Sequence, residues 1–416
     1  MSTPLTWLPA FTSEDGASSA TELFHQTFGG RPEAVFSAPG RVNIIGEHVD
    51  YNGGICLPIA LPHRAYVAVT PRADRLMRLV SSQTQDHIDH FDLDRVDRVG
   101  TPGAVKGWAA YLVGVLWALE QQGYGPLPGF DVALSSCVPL GAGLSSSAAL
   151  ECAMGVAVDA IAGLGLAGSI EHPHEEGRKV LVDVARSAEN DIAGANTGGL
   201  DQSASLRCQA GHALRLDCRD MSAQNIPFDL AAHGLELLVV DTRAPHQLVD
   251  GQYAARRHAC EDAAQLLGVE LLADIAPEGL DQALGQLPDE VMRRRVRHVV
   301  GEIERTRHFI DLLSDGPLTG PRVAQAGALM NASHDSLRDD YEVTIPPLDL
   351  AVDTMREAGA HGARMTGGGF GGSAIAVVDA GHLDDVAAGV AQAFASHGFN
   401  APAFLRAVPS APAGQF

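Results

Sequence analysis

The stretch Val138-Pro139-Leu140-Gly141-Ala142-Gly143-Leu144-Ser145-Ser146-Ser147-Ala148-Ala149-Leu150-Glu151 places two glycines and three serines directly before an apolar helical pattern. The glycines let backbone N–H groups approach a ligand closely. The serines add hydroxyl donors, and the positive end of the following helix faces the loop. Residues Gly141, Gly143, Leu144, Ser145, Ser146 and Ser147 therefore form a loop suited to phosphate without a lysine. A plainer reading, a serine-rich helix N-cap after a turn, fits the same residues taken alone. Lys106 and Lys179 are the chain's two lysines, and neither completes G-x-x-x-x-G-K-[ST], which excludes a P-loop.

Two further glycine-rich stretches lie far from this loop in sequence. In Ser37-Ala38-Pro39-Gly40-Arg41-Val42-Asn43-Ile44-Ile45-Gly46-Glu47-His48-Val49-Asp50-Tyr51-Asn52-Gly53-Gly54, the polar side chains Arg41, Glu47, His48 and Asp50 project from one constrained loop. Flanked by Ile44-Ile45 and Ile55-Cys56-Leu57, this cluster suits a polyhydroxylated ligand, whose hydroxyls each donate and accept. A solvated surface hairpin would explain any one of these residues alone. The third stretch, Arg364-Met365-Thr366-Gly367-Gly368-Gly369-Phe370-Gly371-Gly372-Ser373, precedes a core strand. It reads as a tight strand connection, or as a loop closing the site from a second lobe.

At 416 residues the chain is long enough for two domains, and 46% hydrophobic with 19% charged residues is a globular composition. No apolar run reaches the roughly 18 residues of a membrane span. The start MSTPLTWLPAFTSEDG has no basic segment followed by an apolar one, so a cytoplasmic protein is expected. A net charge of −22 disfavours nucleic acid and anionic membranes as partners. Cys56, Cys137, Cys152, Cys208, Cys218 and Cys260 form no C-x-x-C pair, arguing against a zinc site or a redox dithiol.

Periodicity predicts helices over Ser19–Phe28, Gly107–Gln122, Ser146–Leu164, Pro173–Asn190, Gln252–Leu267, Asp289–Ser314, Val323–Arg338 and Leu383–His397. Strands are expected at Ala34–Phe36, Ile55–Ala60, Ala65–Pro71, Met77–Ser81, Gly129–Ser135, Leu235–Asp241, Ala363–Thr366, Ser373–Val378 and Ala403–Ala407, with Asn52-Gly53-Gly54 suggesting a hairpin between the first two and a hairpin-like stretch at Ala204–Asp217. An α+β protein of two lobes follows, 1–205 carrying both N-terminal loops and 206–416 carrying the C-terminal glycine loop.

The three stretches, in this order, resemble the GHMP kinase superfamily, and within it the galactokinases most closely. GRVNIIGEHVDYNGG carries the likeness, with Gly198–Ser205 (GGLDQSAS), Gln252–Ala263 (QYAARRHACEDA) and Ser333–Asp349 (SHDSLRDDYEVTIPPLD), so that it spans roughly residues 34–378. The resemblance implies a two-lobed fold with mixed sheets and helices in both lobes and the active site in the cleft between them. It also implies ATP-dependent phosphorylation of galactose at its anomeric hydroxyl. Asp201 would be the catalytic carboxylate and Arg41 would lie near the transferring phosphate. Glu47, His48, Asp50, Gly198 and Tyr253 would bind the sugar, and Ser147 with Glu189 would hold Mg²⁺. Trp108 would flank adenine, although a helix tryptophan is as often plain core. A monomer is expected.

Departures from the family pattern leave its ionisable groups in place: Val49, Thr197, Gly199-Leu200 and Ser373 differ, and Arg364 keeps the charge of a usual lysine. Two alternatives stay open on the sequence alone. One is a kinase for another sugar, such as N-acetylgalactosamine; the other is a sugar sensor without turnover, against which the intact Arg41, Ser145–Ser147 and Asp201 argue.

Overall fold

A computed structural model describes residues 5–84, 87–195, 197–244 and 249–415. Its architecture is α+β, built on two mixed sheets and a three-stranded antiparallel sheet of Ile55–Cys56, His212–Asp217 and Ser222–Pro227. The six-stranded sheet runs in the order Gly414–Gln415, Ala34–Asn43, Pro58–Pro71, Phe130–Ser136, Leu76–Ser81, Asp89–Asp92, antiparallel except for the parallel pair Leu76–Ser81 and Phe130–Ser136. The five-stranded sheet runs Thr6–Trp7, Ala403–Ala407, Leu235–Asp241, Ser373–Asp379, Gly362–Thr366, and only its first pair is parallel. The two ends of the chain cross over. The short strand Thr6–Trp7 joins the sheet of C-terminal residues, and Gly414–Gln415 joins the sheet of N-terminal ones.

Helices Ala109–Gln121 and Ser146–Ala162 are apolar on nearly every face, and both are buried. Ser146–Ala162 packs across strands Ala34–Asn43 and Pro58–Pro71, which aims its N-terminus at the point where the first of these strands ends. The predicted strand Ala34–Phe36 continues through Pro39-Gly40 to Asn43, with its register shifted between Pro39 and Arg41. A Cβ at Gly40 would stand 2.5 Å from the Leu144 carbonyl oxygen, so this glycine lets the serine loop lie directly on the strand.

The sequence reading and the structure part company at two places near the site. Residues 204–207, expected to begin a hairpin, close the helix Leu200–Arg207, and the hairpin proper pairs His212–Asp217 with Ser222–Pro227. The helix is packed on all sides, with Gln202, Ser203 and Ser205 as buried as Leu206, so no polar face marks its period. Asn52-Gly53-Gly54 is not a two-residue hairpin turn. A 3₁₀ turn at Asp50–Asn52 ends there, and Ile55–Cys56 leaves to pair with His212–Asp217 before the strand Pro58–Pro71 begins.

Candidate active site

Arg41, on the buried strand Ala34–Asn43, donates from Nε and Nη2 to the two carboxylate oxygens of Asp201, each at 2.9 Å, and from Nη1 to the carbonyl of Gly143 at 2.7 Å. A planar fork meeting a carboxylate edge in this way fixes both groups. Asp201 lies in the first turn of the helix Leu200–Arg207, whose N-cap Gly199 adopts φ 96. Ser145 occupies the N-cap of Ser146–Ala162 in the left-handed region (φ 60), but its side chain makes no capping bond. It donates instead to Asp201 Oδ2 at 2.5 Å. The serine loop, the strand and the Asp201 helix thus converge on one carboxylate.

Beside this cluster opens a cavity of about 290 Å³, lined by Arg41, Glu47, His48, Asp50, Glu189, Asp201 and Tyr253, together with Asn43, Ala195, Thr197, Leu200, Gly367 and Gly368. Glu47 is held by Asn43 Nδ2 and Arg364 Nη1 at 2.7 Å each, by Gly367 N at 2.9 Å and by Thr366 Oγ1 at 3.2 Å. Burial raises its pKa, with Arg364 pulling the other way. His48 has φ 61, and burial lowers its pKa to about 3, so the ring is neutral at pH 7. Burial, reinforced by the nearby Asp201 carboxylate, raises Asp50 to about 6. A Cβ on Gly198 would come 2.2 Å from Asp50 Oδ2, so only glycine leaves Asp50 its place.

The serine loop meets the cavity through two of its lining carboxylates, Ser145 bonding to Asp201 and Ser147 to Glu189. Glu189, in the π-helical turn Ala188–Ala193, is raised to about 7 by burial and by Asp201, while a hydrogen bond from the Ser147 hydroxyl opposes the shift. Gln202 Nε2 bridges Glu189 Oε2 at 2.5 Å and Glu151 Oε2 at 3.0 Å. Among the described residues no group of three His, Cys, Asp or Glu side chains could hold a metal by itself. One carboxylate with a hydroxyl is nonetheless the hard oxygen set that suits Mg²⁺ when substrate phosphates complete the shell. The C-terminal glycine loop packs backbone to backbone on the serine loop: a Cβ on Gly367 would lie 3.0 Å from Gly143 O, and Ser373 Oγ donates to Ala142 O at 2.7 Å.

Of the residues singled out in the sequence, Arg41, Glu47, His48, Asp50, Glu189, Asp201 and Tyr253 line this cavity, whereas Gly198 and the loop residues Gly141, Gly143, Leu144, Ser145, Ser146 and Ser147 do not, and neither does Trp108. It is half-buried at the N-cap of Ala109–Gln121, against the core. A larger cavity, of about 490 Å³, opens between residues 224–233 and 313–318 and brings together none of the cluster around Asp201.

The galactokinase galactose-binding signature matches residues 22–71, the GHMP kinase N-terminal domain residues 110–209, and the GHMP kinase C-terminal domain residues 319–396. A galactokinase from Streptomyces coelicolor is 49% identical over 401 residues, covering 95% of this chain and 98% of that one. The chain belongs to the galactokinase family. The crystal structure of Lactococcus lactis galactokinase complexed with galactose superposes with a TM-score of 0.87 at 32% identity, covering 96% of this chain and 99% of that one. A mevalonate kinase from Methanococcus jannaschii, 15% identical, shares the fold with a TM-score of 0.58 over 90% of this chain and 98% of its own.

Within this galactokinase-family site, Asn43, Thr366 and Arg364 went unremarked as site residues in the sequence. All three touch Glu47, Asn43 also lining the cavity, and Thr366 and Arg364 are more than three hundred residues from Glu47 along the chain. The one sequence signal for Arg364 was a charge directly before a glycine run entering a core strand. Its guanidinium is fully buried between Glu47 and Glu302.

Proposed function

We infer that the protein transfers the γ-phosphoryl group of ATP to the anomeric hydroxyl of D-galactose, giving galactose 1-phosphate and ADP. The observation that carries this reading is the single carboxylate, Asp201, gripped by Arg41 and Ser145 where a sugar-sized polar cavity meets a phosphate-type loop. Phosphoryl transfer asks a protein mainly for positioning and for positive charge or N–H dipoles around the transferred group. In the proposed reaction Asp201 takes the proton of the anomeric O–H, that oxygen bonds to the γ-phosphorus, and the bond from the γ-phosphorus to the bridging oxygen breaks to release ADP. Arg41 is placed to neutralise charge on the transferred group.

The remaining roles are part of the same proposal. Glu47, His48, Asp50, Gly198 and Tyr253 wall the sugar. The loop residues Gly141, Gly143, Leu144, Ser145, Ser146 and Ser147 cradle the ATP phosphates, with Trp108 toward the adenine. Ser147 and Glu189 would hold Mg²⁺, which supplies charge neutralisation at the phosphates when bound. The cleft separates lobes 1–205 and 206–416, and the enzyme is read as a cytoplasmic monomer; light scattering after gel filtration tests the oligomeric state.

Purified protein with ATP, Mg²⁺ and galactose in a coupled ADP-release assay tests the reading. Galactose-dependent ADP formation is expected. ADP formation independent of sugar, or none, would contradict it.

A further inference from the structure

Both ring nitrogens of His48 already have protein partners. Nδ1 lies 2.9 Å from the Tyr51 hydroxyl oxygen and Nε2 3.2 Å from the carbonyl oxygen of Gly368. A carbonyl only accepts, so Nε2 carries the hydrogen, and in a neutral ring Nδ1 then accepts from Tyr51. Tyr51 has one hydroxyl hydrogen, now used, so its oxygen accepts from the Tyr341 hydroxyl 2.8 Å away. The Tyr341 hydrogen is used in turn, which leaves the Cys260 thiol, 3.1 Å from Tyr341 Oη, as donor to it. The chain Cys260 to Tyr341 to Tyr51 to His48 to Gly368 therefore runs in one direction, set by a single carbonyl. Tyr341 and Cys260 are buried, and the Tyr341 ring lies 4.8 Å from that of His48.

We propose that this chain makes the His48 ring a positioning group, which holds the glycine loop at Gly368 against the sugar loop and gives the sugar no hydrogen bond from either ring nitrogen, with Tyr51 and Tyr341 positioning it. The proposal rests on the sugar cavity inferred above. The geometry favours it over simple aromatic packing because the four hydrogen bonds tie helix Val249–Leu267, residue 341, the loop at 48–51 and the glycine loop together in one proton order. A networked, fully satisfied set of buried polar groups fixes one arrangement of the loops around it.

Nitrogen-15 NMR of histidine-labelled, ligand-free wild-type protein reads the chain directly. The Nε2–H tautomer of His48 is expected, with Nδ1 shifted as a hydrogen-bond acceptor; an Nδ1–H tautomer overturns the proposal. Steady-state kinetics read its consequence. Tyr51→Phe should raise the galactose KM about five- to tenfold, one hydrogen bond's worth, with kcat and the ATP KM within about twofold. Tyr341→Phe should raise it about two- to threefold, and Cys260→Ser, which keeps a donor, should leave it within about twofold. A Tyr51→Phe enzyme with unchanged galactose KM, or with the loss in kcat, overturns the proposal. Should a variant fail to fold, the wild-type tautomer still decides. Because that arm needs no sugar, its failure is separate from a wild type that does not turn over galactose, which would sink the functional reading instead.

Discussion

Replacing Arg41 by lysine tests the centre of the site. The guanidinium makes three donations at once, to both oxygens of Asp201 at 2.9 Å and to the Gly143 carbonyl at 2.7 Å. A lysine ammonium, which ends one atom short of the guanidinium nitrogens Nη1 and Nη2, is a point charge that can satisfy one of these directions. Two charge-assisted hydrogen bonds are then lost, each worth about 1.5–3 kcal/mol. The ammonium's own contact and water offset part of this, leaving a net cost of about 2–4 kcal/mol, or roughly 30- to 1000-fold in rate. The loss should fall on kcat, because the disturbed groups hold the carboxylate and phosphate loop in register for transfer, while the sugar wall at Asp50 and Tyr253 is untouched. The assay is coupled ADP release at saturating ATP and galactose, paired with calorimetric galactose binding in the absence of nucleotide. Galactose affinity should stay within about threefold. A kcat within about threefold of wild type, or an unchanged kcat with a raised KM, would refute the reasoning.

Asp201→Asn should still bind galactose calorimetrically but lose about 10²–10⁴ in kcat, the usual contribution of a general base; retention of more than about a third of wild-type kcat would remove Asp201 from that role. Gly198→Ala would drive a Cβ to within 2.2 Å of Asp50 Oδ2, so the galactose KM should rise on the order of tenfold with the ATP KM unchanged, and the opposite pattern in steady-state kinetics would count against the placement. Galactose should exceed glucose in kcat/KM by at least roughly tenfold, and Asp50→Ala should shrink that ratio; equal use of both sugars by the wild type would rule out a reading of the 4-hydroxyl by Asp50 and Tyr253. Burial, with Asp201 beside it, lifts Asp50 from an ordinary 3.8 to about 6, so the folded state holds this proton more tightly than the unfolded one. Its stabilising contribution is present below about pH 4 and lost as the pH rises through about 6, so Asp50→Asn should flatten that part of the profile in denaturant unfolding; identical slopes for wild type and variant would show that Asp50 is not the group.

Much of the site was legible because its residues are bunched in loops that the chain must punctuate with glycine. Arg41, Glu47, His48 and Asp50 stand within ten positions, and the serine loop announces itself by two glycines and a helix start. Helix Leu383–His397 and strands Leu235–Asp241 and Ala403–Ala407 follow the sequence pattern to the residue, the helix by its amphipathic period and the strands as short apolar runs. Helix Leu200–Arg207 is hidden because its polar residues Gln202, Ser203 and Ser205 are buried like its apolar ones, Gln202 bridging Glu151 and Glu189. The short strands Thr6–Trp7 and Gly414–Gln415 carry two residues each, too few for alternation to show, and only the sheets they complete define them. Arg364 contacts Glu47 and Tyr341 contacts Tyr51 across 290 positions or more, a distance that no local pattern reports.

If Asp201 takes the proton of the attacking oxygen, that oxygen should be the anomeric hydroxyl of galactose. Phosphorus-31 NMR of the product made from ATP and galactose labelled with carbon-13 at C1 tests it directly. The account predicts a new phosphate ester signal coupled to the labelled carbon, with ADP formed in equal amount and the signal nearly abolished for Asp201→Asn. An ester signal without that coupling, or one that persists undiminished in Asp201→Asn, would contradict it.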